Sequence, residues 1–314
     1  MKKPELLVTA GTMEEHERLY AAGADAAVIG ESRYGLRLPG EFRLSELEQA
    51  IPFAHSLNKK VYVAVNNIMN NEVLDELPGY LRELQRLDAD ALVFGDPAVL
   101  MALRQADVSF PLHWNTEMTS TNYVTSGYWA SKGATRVFLA RELNMDQVTE
   151  IKRNVRMEVQ VQVHGMTNIY HSKRNLVHHY AEHLRESGIA ARKLGDRFDA
   201  ERGLVLIETE RRDERYPVFE DANGTHIMSS DDICMIENLH ELIEAEIDSF
   251  KIECLLKPLS YNEAAVRSYR KAIDAYCANP EGYRFQDEWL DAIKSVQDPH
   301  RELSYGFFYK EQVY

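Results

Sequence analysis

KVYVAVNNIMNNEVLDELPGYLRELQRLDADALVFGD, from Lys60 to Asp96, holds one full unit of the pattern that decides the fold. Lys60 to Asn66 is a short β-branched, apolar run of the kind that forms a buried strand, and Ala91 to Gly95 is another. Between them Val73, Leu74, Leu77, Tyr80, Leu81, Leu84 and Leu87 recur at three- and four-residue spacing, which places one apolar stripe on one face of a helix. Strand, amphipathic helix, strand is the repeating unit of a parallel sheet, because parallel neighbours need a crossover between them.

The same alternation extends in both directions. Strand candidates are Glu5 to Ala10, Ala26 to Gly30, Lys60 to Asn66, Ala91 to Gly95, Pro111 to Asn115, Arg136 to Ala140, Met157 to His164 and Ser249 to Glu253. A second clear helix stripe, Val266, Tyr269, Ile273 and Tyr276, follows the last of them. By length, 314 residues fit either two ordinary domains or one α/β barrel with an insertion. Eight strands with intervening helices close most simply into a TIM-type (β/α) barrel.

The regular spacing breaks between Gly165 and about Asp248, a gap too long for an ordinary connection. Residues 1–164 therefore carry the first seven strands, 165–247 an insertion or small subdomain after the seventh strand, and 248–278 the last strand and helix. Residues 279–314, rich in Phe and Tyr, read as a strap packed on the body. Inside the insertion, Arg192 to Arg202 is charged and poor in apolar residues, Leu204 to Thr209 reads as a strand, and Glu220 to Ser230 reads as a hairpin around Asn223-Gly224.

A hydrophobic fraction of 45% provides for a large core, and a formal charge of -14 makes the surface repel phosphates on average. Extended contact with nucleic acid then needs a basic partner or a local basic region such as Lys173, Arg174, Arg192 and Lys193. Three scattered cysteines, Cys234, Cys254 and Cys277, give neither a disulfide framework nor a CxxC metal site. The apolar run Leu6 to Val8 is far shorter than a signal segment or membrane span, so a cytoplasmic protein without membrane contact is expected.

In such barrels the functional residues stand where strands end. His164 and Glu253 are the acid/base candidates, with Lys251 beside them as a third catalytic candidate. Asn66, Glu117, Asn122, Arg141, Glu142, Ser172 and Arg174 are the substrate-binding candidates; Arg141, Arg174 and Lys251 suit a carboxylate or phosphate. Each has a plainer alternative: a strand-end polar residue is often a turn or helix cap, Lys251 and Glu253 could form a structural ion pair, and His164 could be a core-capping donor. His179-Tyr180-Ala181-Glu182-His183 matches the HxxEH pattern of inverted zinc peptidases at helical spacing; the alternative is a solvated, His-rich helix face.

HGMTNIYHSKRNL, His164 to Leu176, resembles the signature of the peptidase U32 family, in which a His-Gly strand end leads into a Ser-Gly-Arg-Cys segment. Glu220 to Glu253, ending in Asp-Ser-Phe-Lys-Ile-Glu, YRKAID at Tyr269 to Asp274, and GATRVFLARELN at Gly133 to Asn144 are similar to further family stretches. The resemblance covers most of Pro4 to Ala278. Where it departs, it does so at ligands. Cluster-bearing members have cysteines where this chain has Asn168 and Asn175, and Gly188 to Leu206 lacks the family's later cysteine pair. The resemblance therefore implies no iron–sulfur cluster and no metal in this chain, because such clusters need thiolates. Cys234 falls where the family often has a non-ligand cysteine. The family's Gly-Arg-Met-Lys-Ser after the last strand is here Cys254-Leu255-Leu256-Lys257-Pro258, keeping only the lysine.

The chain is similar to the cluster-less first member of the Gram-positive pair that hydroxylates tRNA. That likeness implies a part in forming 5-hydroxyuridine at the wobble position, with prephenate as hydroxyl source. The iron–sulfur cluster would sit in a Cys-containing paralogue, as partner in a hetero-oligomer, and tRNA would be contacted directly or through that partner. The other two readings are a peptidase, as the family's name has it, and a non-catalytic scaffold subunit.

Overall fold

The computed structural model describes residues 2–115, 120–186 and 204–311. The chain forms two compact units, Met1–Gly165 with Ile233–Asp298 and Ser304–Tyr314, and Met166–Asp232 with Pro299–Leu303.

The first unit is a barrel. Strands β1 (Glu5–Thr9), β2 (Ala26–Ile29), β3 (Lys60–Val65), β4 (Ala91–Phe94), β5 (Leu112–Trp114), β6 (Ala134–Phe138) and β7 (Glu158–Gly165) pair in parallel in chain order. β13 (Ser249–Ile252) closes the circuit, pairing in parallel with β1 through Glu5–Ser249 and with β7 through Ser249–Gln160. All eight expected strands are present within a residue or two of their expected limits, and the eight-stranded parallel barrel is closed.

Helices α1 (Met13–Ala22), α2 (Leu44–Ser56), α3 (Asn71–Arg86), α4 (Ala98–Ala106), α5 (Tyr123–Ser131) and α6 (Met145–Asn154) make the crossovers. Thr12, Asn70, Asn122 and Asn144 start four of them by accepting a hydrogen bond from the backbone N–H three residues on. The stripe read on α3 is the face that packs: Val73, Leu77, Tyr80, Leu81 and Leu84 are buried, with Leu74 and Leu87 half-buried at its edges.

Staggered strands fill a barrel interior in layers drawn from alternate strands. Leu7, Tyr62, His113 and Gln160 make one layer, and Val28, Val93, Phe138 and Lys251 the next. Thr9, Ala64, Asn115 and Gln162 follow, and Gly30, Gly95, Ala140 and Glu253 crown the C-terminal ends. At the opposite end the interior is ionic. Arg136 donates to Glu5 at 2.5 Å and to Glu158 at 2.7 Å, while the Tyr62 and Ser249 hydroxyls also donate to Glu5.

Ile233 to Ile247 belongs to this first unit. Its apolar residues Ile233, Met235, Ile236, Leu239, Leu242, Ile243 and Ile247 are buried, and β12 (Asp232–Cys234) pairs with β7 through Ile233–Gly165. Helix α8 (Leu239–Glu244) precedes β13, and α9 (Leu259–Ala278) follows it, packed against α10 (Asp287–Lys294). Phe308 is buried, and its carbonyl accepts from Met145.

The second unit is an antiparallel sheet in the order β8 (Asn168–Ser172), β11 (Gly224–Met228), β10 (Tyr216–Asp221), β9 (Leu204–Leu206), with helix α7 (Leu176–Glu186). The expected hairpin turns one residue earlier than its Asn-Gly pair suggested: Asp221 pairs with Gly224 across Ala222-Asn223. Gly224 has φ +109°, and a Cβ there would lie 2.0 Å from the Ser172 carbonyl oxygen, so glycine is required by both conformation and space.

Candidate functional site in the barrel mouth

At the C-terminal ends of the barrel, three side chains form a hydrogen-bonded set. Glu253 accepts from the Thr9 hydroxyl at 2.8 Å and from the Lys251 ammonium at 2.7 Å. The Thr9 oxygen in turn accepts from the Cys254 N–H at 3.0 Å, and Leu255 N–H reaches the same Glu253 oxygen at 3.3 Å. Lys251 lies on β13 and Glu253, two residues on, directly follows its end, so both continue its inward face; Leu7, the register partner of Lys251, belongs to the interior cluster. Both are buried, so a charge-assisted pair is what keeps two ions in so little water.

Above this set the crown is nearly bare. Gly30, Gly95 and Ala140 occupy three of its four positions, so Glu253 is the one side chain of length there. The strand ends also approach closely: a Cβ on Gly95 would lie 2.8 Å from the Asn115 carbonyl oxygen and 3.2 Å from that of Asn66. Below lie Asn115 and Gln162, the latter donating to the His164 and Gly165 carbonyls at 3.4 and 3.3 Å. This is a small polar bowl of strand ends with a buried ion pair on one wall.

His164 does not face the bowl. Lys251 pairs with Gln162, but Ile252 pairs with His164, so Val163 is an extra residue and the strand bulges. The bulge reverses the alternation and turns the imidazole outward toward α9, where it is fully buried against Tyr261 and Tyr269. Its Nε2 lies 2.8 Å from the Tyr261 hydroxyl. The Tyr269 hydroxyl donates to the Val163 carbonyl at 2.8 Å and accepts from Met235 N–H at 2.9 Å, which satisfies the polar groups that the bulge frees. Glu253 N–H donates to the His164 carbonyl at 3.0 Å.

The remaining candidates divide. Asn66 is half-buried, and its oxygen accepts from Leu36 N–H at 3.0 Å, which fixes the loop after β2. Asn122 is exposed, and its oxygen is taken by Thr125 N–H at 2.9 Å as the cap of α5. Arg141 is half-buried and Glu142 exposed, both in the turn after β6. Glu117, like Arg192 and Lys193, lies outside the described residues. Ser172 and Arg174 belong to the second unit, where the Ser172 hydroxyl accepts from Arg174 N–H and the Arg174 side chain is exposed. Sequence reasoning passed over Thr9 as a partner of Glu253; a threonine ending the first strand was the available signal.

Burial pushes the Cys254 thiol well up, with the Glu253 carboxylate adding to it, so this cysteine is a protonated packing group. Deeper in the barrel, burial and then the Arg136 charge hold His113 well below the usual histidine range, leaving it neutral. Among the described residues, no group of three or more His, Cys, Asp or Glu could hold a metal ion. His179 and His183 of the HxxEH pattern are exposed on α7, where Glu182 pairs with His178 at 3.3 Å. No helix among the described residues is long and apolar enough to cross a membrane.

The profile of the family described as "Peptidase family U32" matches residues 11–313. Over 315 residues the chain is 49% identical to "tRNA hydroxylation protein P2" of Bacillus subtilis, covering 100% of both chains. It is 31% identical to "tRNA hydroxylation protein P1" of the same organism, covering 100% of this chain and 74% of that one. It is also 31% identical to "tRNA hydroxylation protein P" of Escherichia coli, over 98% of this chain and 75% of the other. A solved U32 peptidase superposes with a TM-score of 0.50 at 16% identity, covering 81% of this chain and 94% of that one, which is a likeness of fold.

Proposed function

The chain belongs to peptidase family U32, and from that premise we propose that it is a component of tRNA hydroxylation that forms 5-hydroxyuridine at the wobble position. The observation that carries the reading is the 49% identity, end to end, with a relative named for tRNA hydroxylation. One organism holds relatives named P1 and P2, which supports action as a pair, this chain beside a paralogue in a hetero-oligomer that contacts tRNA.

The residues of this chain do not fit an iron–sulfur cluster. Asn168 and Asn175 stand where cluster-bearing members have cysteines, and the Asn168 amide donates to the Tyr170 and Ile227 carbonyls as part of the β8–β11 pairing. An amide engaged in this way supplies no thiolate. The cluster is assigned to the paralogue, and prephenate is the hydroxyl source implied by the family. For this chain the chemistry available is binding and proton handling: Glu253 and Lys251 offer a paired carboxylate and ammonium, and Thr9 orients Glu253. His164 acts on the site through the bulge that it stabilises.

Deleting the gene should lower wobble 5-hydroxyuridine and its derivatives in nucleoside mass spectrometry, in a manner that depends on the paralogue. Unchanged wobble hydroxylation, with redundant paralogues also removed, would refute the reading. With a net charge of -14, tRNA contact is confined to local basic positions or to the partner. Arg174→Glu should then weaken tRNA association and flatten its salt dependence by about one unit of slope.

A further inference from the structure

The crossover helices of the barrel bury their apolar side chains: α3 packs Val73, Leu77 and Leu81 inward, and α4 packs Val99 and Leu103. α5 is the exception. Of its nine residues, YVTSGYWAS, only Ser126 is buried, while Trp129 is half-buried and stacked on Trp114. Val124, Gly127, Tyr128 and Ser131 recur at i, i+3, i+4 and i+7, so they form one stripe, and all four are exposed. Val124 is 67% exposed and Tyr128 54%; on α4, Met101 is 63% exposed. Large apolar side chains gathered on one side of a helix pair mark an interaction face, as scattered ones would not.

Beside the stripe lies a groove of about 720 Å³ between α4 and α5. Leu100, Leu103 and Phe110 line it from below, and the exposed Arg104, Asp107 and Lys132 line its rim. Ser131 lines it too, and the Lys132 ammonium lies 5.2 Å from the centre of the Tyr128 ring, so stripe and groove are one continuous surface. The surface holds both halves of a contact: a projecting Tyr128 with a hollow beside it, and cations with an anion. A second copy supplies the complement of every one of these features, which is the requirement for a twofold interface. We infer that this face pairs two copies of the chain about a twofold axis, the α5 stripe of each lying over the α4–α5 groove of the other. Tyr128 enters the groove of the second copy and Lys132 meets its Asp107, each contact being made twice. Gly127 stands in the middle of the stripe, and a Cβ there would meet nothing within 4 Å, so the backbone is open to close approach by another helix. With a net charge of -14 two copies repel elsewhere, which confines their association to a patch that carries its own cations. The inference does not depend on the tRNA reading.

Sedimentation equilibrium of the purified chain alone, without paralogue or RNA, tests it. Wild type should show a reversible monomer–dimer equilibrium. Gly127→Arg places a better helix former in open space, so it should keep the urea midpoint of the dilute monomer while weakening the dimer on the order of 100-fold. Tyr128→Ala should weaken it on the order of 30-fold, as loss of a central aromatic anchor does. Lys132→Asp and Asp107→Lys each set like charges against one another twice in a twofold dimer, and each should weaken it on the order of 10-fold or more. Mixed in equal amounts, these two variants should associate as tightly as wild type, because the mixed dimer regains both attractive pairs. A mixture no tighter than its components, or a dimer indifferent to Gly127→Arg, would overturn the inference. So would a wild-type chain that stays monomeric to ~100 µM; loss of paralogue binding or of tRNA binding in the same variants would then assign the face to that partner instead.

Discussion

Arg136→Met tests whether the ionic end of the barrel is a structural unit. The guanidinium, with its side chain 4% exposed, donates to Glu5 at 2.5 and 3.3 Å and to Glu158 at 2.7 and 3.0 Å. Methionine fills comparable volume but leaves Glu5, 13% exposed at its side chain, with the Tyr62 and Ser249 hydroxyls as its donors among the described residues. Removing one partner of a buried pair typically costs about 3–5 kcal/mol, because the other charge stays behind uncompensated. With a urea slope of roughly 3 kcal/mol per M, the unfolding midpoint should fall by about 1–1.7 M. The double variant Arg136→Met/Glu5→Gln should recover a good part of the loss, since it removes the stranded charge.

The same variant carries a pH signature. Burial would raise the Glu158 carboxyl, but the Arg136 charge and hydrogen bonds overcome it and hold Glu158 below the usual carboxylate range. A depressed folded-state pKa contributes stability that is present above the unfolded value, about 4.3, and lost as pH falls through the folded value. Wild type and variant should therefore differ most above about pH 5 and converge below pH 4. A midpoint shift worth less than about 1 kcal/mol, or a gap that stays constant from pH 7 to pH 4, would refute the assignment.

Two further outcomes follow from side chains whose surroundings differ from what their place in the chain suggested. His164→Ala should destabilise by roughly 3 kcal/mol and Tyr261→Phe by about 1 kcal/mol in denaturant unfolding, as the loss of a packed ring and of one hydrogen bond require. A His164→Gln variant of native stability with no hydroxylation would instead put the imidazole in the chemistry. Asn122→Ala should cost about 1 kcal/mol through loss of the α5 cap, with hydroxylation in cells unchanged. A stable Asn122→Ala protein that no longer supports hydroxylation would make that side chain a substrate contact.

Much of the architecture is local and was therefore legible. The two periodicities, two for strands and three to four for helices, are properties of neighbouring residues. They placed all eight barrel strands and the packing face of α3 directly from residues such as Val73, Leu77, Tyr80 and Leu84. The long gap after Gly165 marked where the barrel pattern is interrupted, and Leu204 to Thr209 and Glu220 to Ser230 already read as strand and hairpin. Asn122 as a cap was readable too, since an Asn before a helical run is a start signal.

The site was legible only in part. Lys251 and Glu253 lie two apart, on one strand and directly after its end, so their sharing a face follows from sequence, and the structure joins them in an ion pair. The direction of His164 does not follow. A bulge is decided by how β7 pairs with β13, about 90 residues away, and one extra residue sends the side chain to the opposite face. The bowl is tertiary for the same reason: Gly30, Gly95 and Ala140 come from three separate strands, and only the stagger of a closed barrel sets them in one layer with Glu253 above Asn115. Alternation along a regular strand is local and readable from sequence; the pairing and closure of the sheet decide where that alternation breaks and which side chains meet.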